Sequence, residues 1–116
     1  MNYAVGCDIE EVKRFENKTQ AFLDKVFTKA EQEYCLSKTK PSQHFAARFC
    51  AKEAVVKAMC SLGFDAPAYK DIEIKRRDGG APYVVLHAPN VEDARFAVSL
   101  SHSRTTALAT VAAWRE

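Results

Sequence analysis

The sequence predicts an α+β domain in which a mostly antiparallel sheet packs against one long central helix. A strand-like alternation opens the chain, helical spacing of apolar residues then runs as far as Leu62, and a period of two returns from Ile72 onward. One strand, several helices and a run of strands is the order of an α+β fold, not of repeated βαβ units. At 116 residues the chain reads as a single domain, residues 1–116. That length gives a real core but too little material to enclose a deep site alone, so a large ligand pocket is expected to be shared between subunits.

Tyr3 to Glu10 alternates as the first strand, with Val5, Cys7 and Ile9 on one face and Ala4, Gly6, Asp8 and Glu10 on the other. Two carboxylates therefore project from the same side. Phe22, Leu23, Val26 and Phe27 carry helical spacing, and Thr28-Lys29-Ala30-Glu31 is a capping-box pattern that starts a second short helix, closed by Pro41. Ser42 as N-cap and Gly63 just past the C-terminus bound the long helix. Beyond the Pro67 loop, Ile72 and Ile74 mark a strand, Asp78-Gly79-Gly80 a hairpin turn, and Tyr83 to His87 the returning strand. Phe96, Val98 and Leu100 then alternate against Ala97, Ser99 and Ser101, and Thr106 to Trp114 forms the last strand after a turn at His102-Ser103-Arg104.

Composition narrows the function classes. With 17 basic and 15 acidic side chains the net charge is +2, so no general grip on polyanions follows and no nucleic-acid partner is expected. No apolar run has the length to span a bilayer, and no membrane partner is expected either. Cys7, Cys35, Cys50 and Cys60 show no C-x-x-C spacing and read as reduced, packed thiols of a cytoplasmic protein.

The chemistry concentrates in Ala51 to Ala58, where Lys52, Glu53 and Lys57 interrupt a segment that otherwise reads as a buried helix. At about 100° per residue, Phe45, Phe49, Glu53, Val56 and Cys60 share one sector, Arg48 and Lys52 flank it, and Ala47, Ala51 and Ala58 lie opposite. Two readings follow. Glu53 and Lys57 form an ordinary surface pair worth about 0.2–0.5 kcal/mol, or Glu53 joins Asp8 and Glu10 in an all-oxygen site for a hard cation such as Mg²⁺. In the second reading Arg48, Lys52 and Lys57 neutralise phosphate, and the Ser101-His102-Ser103 turn offers hydroxyls and an imidazole to the same ligand. Neither a nucleophile elbow nor a glycine-rich phosphate loop is present.

Gly6-Cys7-Asp8-Ile9-Glu10, Phe27-Thr28-Lys29-Ala30-Glu31 and Arg48-Phe49-Cys50-Ala51-Lys52-Glu53-Ala54-Val55-Val56-Lys57-Ala58 form an ordered set. Asp71-Ile72-Glu73-Ile74, Gly80-Ala81-Pro82-Tyr83 and Val98-Ser99-Leu100-Ser101-His102-Ser103 complete it. Together these motifs resemble the phosphopantetheinyl transferases, and the chain length that of their small holo-acyl-carrier-protein synthase group. The resemblance spans almost the whole chain, and its specificity lies in the combination of motifs.

It implies the phosphopantetheinyl transferase-like fold and a Mg²⁺-dependent transfer of the phosphopantetheine arm of coenzyme A to a serine hydroxyl of an acyl carrier protein, as in fatty acid biosynthesis, with release of adenosine 3′,5′-bisphosphate. It implies Asp8, Glu53 and Lys57 as catalytic residues, with Asp8 and Glu53 on the metal, and Arg48, Lys52, Lys57, Ser101 and His102 on coenzyme A. Arg14 and Lys25 are implied contacts to the acidic carrier, and the site is implied to lie between subunits of a homotrimer.

Three positions depart from the group. Glu10 replaces a usually apolar residue and matches longer family members, where it would be a third metal ligand, directly or through water. A single glycine, Gly63, follows the long helix where several are usual, and Ala81 stands in place of a lysine. A non-catalytic carrier-protein or nucleotide-binding module on the same fold, and an unrelated metal-dependent phosphoester hydrolase, are the competing readings.

Overall fold

A computed structural model of the chain describes residues 2–116. The opening strand β1 (Tyr3–Glu11) leads through a short 3-10 turn, Val12–Phe15, into α1 (Gln20–Val26), α2 (Lys29–Leu36) and α3 (Pro41–Ser61). A second 3-10 turn at Tyr69–Asp71 precedes β2 (Ile72–Arg76), β3 (Pro82–Leu86), β4 (Ala94–His102) and β5 (Thr106–Arg115). The strands are antiparallel as expected and divide into two sheets. β1, β5 and β4 form a three-stranded antiparallel sheet in that order, and β2 pairs with β3 as a separate hairpin.

Local chemistry explains the helix ends. Thr28 and Glu31 close the expected capping box on α2, each side chain accepting the other residue's backbone N–H. On α3 the expected cap at Ser42 is displaced: Pro41 occupies the first turn and Lys40 precedes it without a side-chain cap bond. Proline suits that first position because its φ is already helical and the N–H it lacks would have had no partner there. At the other end Gly63 has φ +90°, and the N–H groups of Gly63 and Phe64 return to the carbonyls of Cys60 and Met59. Only glycine adopts that left-handed turn without steric cost.

α3 lies across the sheet with Ala47, Ala51, Ala54 and Ala58 buried. The same central turns are also covered by α2 and β2, so the helix is buried almost all round and not only along the two sectors that its spacing suggests. Arg48 and Lys52 are enclosed with the alanines, whereas Val56 and Glu53 are half-buried and Lys57 and Cys60 exposed. Cys7 and Cys60 are thus exposed thiols and only Cys35 and Cys50 are packed; all four are free.

One contact fixes the distance between strand and helix. A Cβ placed on Gly6 would fall 2.1 Å from the Ala54 carbonyl oxygen and 3.0 Å from the Ala58 nitrogen, well inside van der Waals contact. The alternation of β1 then turns Asp8 and Glu10 to the same helix-facing side, while Val5 and Ile9 point outward and stay exposed. Gly6→Ala is expected to force the two elements apart and to destabilise the protein by at least about 1–3 kcal/mol, read from the midpoint of urea unfolding.

Candidate active site

β1 and α3 bring Asp8, Glu10, Glu53 and Lys57 together. The Lys57 ammonium donates to the Cys7 carbonyl at 3.0 Å and reaches Asp8 Oδ1 at 3.4 Å. Asp8 Oδ2 is buried and has no hydrogen-bond partner among the described residues. Glu10 pairs with Arg14 one turn along the chain. Burial, the hydrogen bond with Asp8 and the charges of Asp8 and Glu53 push the Glu10 carboxyl up to about 7, against the pull of Arg14. The phenol of Tyr69 donates to Glu53 Oε1, and that bond, with burial, pushes the phenol up to about 12. Three carboxylates thus crowd a half-buried spot at which, among the described residues, Lys57 and Arg14 oppose them.

Lys52, one residue from Glu53, does something else. Its side chain is fully buried, its ammonium donates to Glu31 Oε1 at 2.8 Å and to the Tyr69 carbonyl at 2.9 Å, and it also bonds the Ile72 carbonyl. Glu31 completes the brace by accepting from the Ile74 N–H at 2.9 Å and from Thr28. Burial depresses the lysine and the Glu31 charge opposes that shift. With three acceptors around it the ammonium has no donor left for a ligand. The expected contact between Lys52 and a nucleotide is therefore corrected: Lys52 ties α2, α3 and β2 together.

A second cluster gathers around Tyr34. The Arg48 guanidinium lies 4.0 Å from the Tyr34 ring centroid, Lys38 4.5 Å and Arg76 5.7 Å. His44 meets Tyr34 and His102 with ring centroids 5.8 and 5.7 Å apart. Burial, then the positive charge of Arg48, lowers the His44 imidazole. Arg48 is almost wholly buried, yet its Nε and Nη1 have no partner among the described residues. It lines a groove of about 330 Å³ with Tyr34, Glu73, Lys75, Arg76 and Tyr83. Surplus positive charge with unsatisfied donors suits an anion such as phosphate.

The expected residues separate accordingly. Asp8, Glu10, Glu53 and Lys57 meet, and Arg48 and His102 meet through His44 and Tyr34, whose centre at His44 lies nine residues, about 13.5 Å of helix rise, before Glu53. Ser101 points the other way, onto the exposed sheet face in register with Leu108 and Ile9. Ser103 holds its own turn, accepting from the N–H groups of Thr105 and Thr106. Lys25 stands exposed in the last turn of α1. Sequence reasoning missed His44, Tyr34 and Tyr69. His44 sits one turn before Arg48 and was legible by that spacing, whereas Tyr69 lies in an aperiodic loop and gave no signal.

Comparison with known proteins identifies the family. A family model described as the 4′-phosphopantetheinyl transferase superfamily matches residues 4–112. The chain belongs to that superfamily. It is 40% identical over 109 residues to the holo-[acyl-carrier-protein] synthase of Chlorobaculum parvum, covering 90% of this chain and 92% of that protein. The corresponding protein of Moorella thermoacetica is 42% identical over 113 residues, covering 90% and 88%. Among solved structures, the holo-(acyl-carrier-protein) synthase of Bacillus anthracis in complex with CoA (3′,5′-ADP) superposes with a TM-score of 0.81 at 27% identity, covering 97% of this chain and 96% of that one. This phosphopantetheinyl transferase is an enzyme of the holo-acyl-carrier-protein synthase group.

The donor set fits a magnesium ion. No three metal-ligating side chains among the described residues form a ready-made cage, but magnesium needs only one or two carboxylates and completes its octahedron with water and phosphate oxygens. The unpartnered Asp8 Oδ2, and the burial and neighbouring carboxylates that raise Glu10, are what a divalent cation relieves.

If Lys52 is a brace, Lys52→Met leaves the Glu31 carboxylate buried without its cation and should cost about 3–5 kcal/mol of stability. Combining it with Glu31→Gln, which keeps the capping geometry, should restore part of that loss in urea unfolding.

Proposed function

We propose that the protein transfers the phosphopantetheine arm of coenzyme A to a serine hydroxyl of an acyl carrier protein, releasing adenosine 3′,5′-bisphosphate. The observation that carries the reading is the meeting of Asp8, Glu53 and Lys57 between β1 and α3 in a chain of this family. The serine oxygen bonds to the phosphorus that bears pantetheine, the anhydride P–O bond breaks, and its electron pair leaves with the bisphosphate. Asp8 and Glu53, with Glu10 directly or through water, would hold a magnesium ion, which would neutralise pyrophosphate charge when bound. Glu53 takes the serine proton. Lys57, half-exposed beside Asp8, stabilises the charge that builds on the phosphate oxygens. Arg48 and His102, with surplus positive charge around Tyr34, hold the 3′-phosphate.

The outer face of the sheet supports a site completed by a neighbouring copy. Tyr3, Val5, Ile9, Leu108 and Trp114 are exposed there, and the register places Tyr3 opposite Trp114 and Ile9 opposite Leu108. An apolar sheet face of this kind marks a protein contact, here a homotrimer in which Ser101 faces the next subunit. Arg14 and Lys25, both exposed, offer positive charge to the acidic carrier. Among the described residues no helix is long and apolar enough to cross a membrane.

Mass spectrometry of a candidate carrier after incubation with the protein, coenzyme A and Mg²⁺ should show the mass of one added phosphopantetheine group. Release of the bisphosphate from coenzyme A without any carrier would point instead to a hydrolase. Glu53→Gln should retain the fold by circular dichroism and lower transfer at least about 100-fold; near-normal turnover would sink the mechanism. Ile9→Lys, which buries a charge in the proposed interface, should yield monomers in sedimentation and lose transfer with them, whereas an active monomer would refute the shared site.

A further inference from the structure

We infer that Tyr69 is a positioning residue for Glu53, its phenol holding the carboxylate in the orientation that receives a hard cation. The inference rests on the transferase reading above and adds a residue to it.

Glutamate has three side-chain torsions, and a carboxylate that must sit at a fixed point among Asp8, Glu10 and Lys57 loses that freedom only if something holds it. Tyr69 supplies the hold. Its hydroxyl donates to Oε1 of Glu53, which fixes the carboxylate and leaves Oε2 for a further partner. The tyrosine is itself fixed at three points. Its carbonyl accepts from the buried Lys52 ammonium at 2.9 Å, and its ring packs on Phe49 with centroids 5.3 Å apart. Its loop is closed by the 3-10 turn in which the Asp71 N–H returns to the Ala68 carbonyl at 3.0 Å.

Lys52 and Glu53 are neighbours on α3, roughly 100° apart around the helix, and both grip Tyr69, one at its carbonyl and the other at its phenol. The buried Lys52–Glu31 pair thereby reaches the acidic cluster through a single residue. A phenylalanine at this position would meet the same ring contact, since packing on Phe49 asks nothing of the hydroxyl. What the hydroxyl adds is the bond to Glu53. Partners that orient metal-bound carboxylates act in this way, and their removal costs about 10–100-fold in metal affinity or activity.

The test is Tyr69→Phe, with Mg²⁺ titrated calorimetrically into the protein, with and without coenzyme A and always without carrier. Magnesium affinity should fall about ten-fold or more, with a similar fall in kcat, little change in KM for the carrier and an unchanged thermal midpoint. In a Glu53→Gln background the same substitution should change magnesium affinity no further, because the hydroxyl acts through that carboxylate. Magnesium affinity within two-fold of the parent overturns the inference. So does a loss that follows a lowered thermal midpoint and disappears on cooling, or a wild-type protein that binds no magnesium under either condition. If the wild-type protein binds magnesium and Tyr69→Phe weakens it, yet no carrier is modified, the transferase reading fails and the positioning role stands.

Discussion

The acidic site depends on how closely β1 approaches α3, and Gly6 sets that distance. Any side chain there would run into the backbone of Ala54 and Ala58, so strand and helix meet backbone to backbone. The alanines along α3 extend the same contact across β5, whose inward residues Ala107, Ala109, Val111 and Ala113 are fully buried. Small residues on both surfaces create a thin layer, and the strand's period of two then carries Asp8 and Glu10 to the helix at the level of Glu53 and Lys57. A larger residue anywhere in this layer would move the carboxylates apart before it disturbed the rest of the core.

α3 carries four charges that sequence spacing places close together and that the fold treats in different ways. Lys52 is spent on structure, surrounded by Glu31 and two carbonyls. Arg48 is buried against Tyr34 with donors left over. Glu53 and Lys57 face the opening beside β1. The difference comes from what covers each sector of the helix: α2 and β2 over Arg48 and Lys52, the strand edge and the Tyr69 loop over Glu53 and Lys57. A charge on a helix is therefore interpretable only when the element above it is known.

That limit separates what was legible in the sequence from what was not. Alternation in β1 and β4, the capping box at Thr28 and Glu31, and Gly63 at the end of α3 are local patterns with local causes, and they appear where expected. The meeting of Asp8, Glu10, Glu53 and Lys57 was legible because a strand face and a helix turn each put charges on a predictable side. The start of α3 lies two residues earlier than expected because Pro41 favours the first helical position more strongly than Ser42 favours the cap. The division of the strands into a sheet and a separate hairpin, and the enclosure of Lys52, depend on long-range pairing that no periodicity encodes.

The orphaned polar atoms have a thermodynamic side. Asp8 Oδ2 and the Nε and Nη1 of Arg48 are desolvated without partners among the described residues, and each such group costs about 1–3 kcal/mol of folding free energy. Whatever satisfies them binds the native state and not the unfolded chain, and so shifts the folding equilibrium by mass action. The protein is then at its weakest when idle. Its resistance to heat and to proteolysis becomes a gauge of how much ligand surrounds it, so that turnover of the chain is tied to the supply of what it binds.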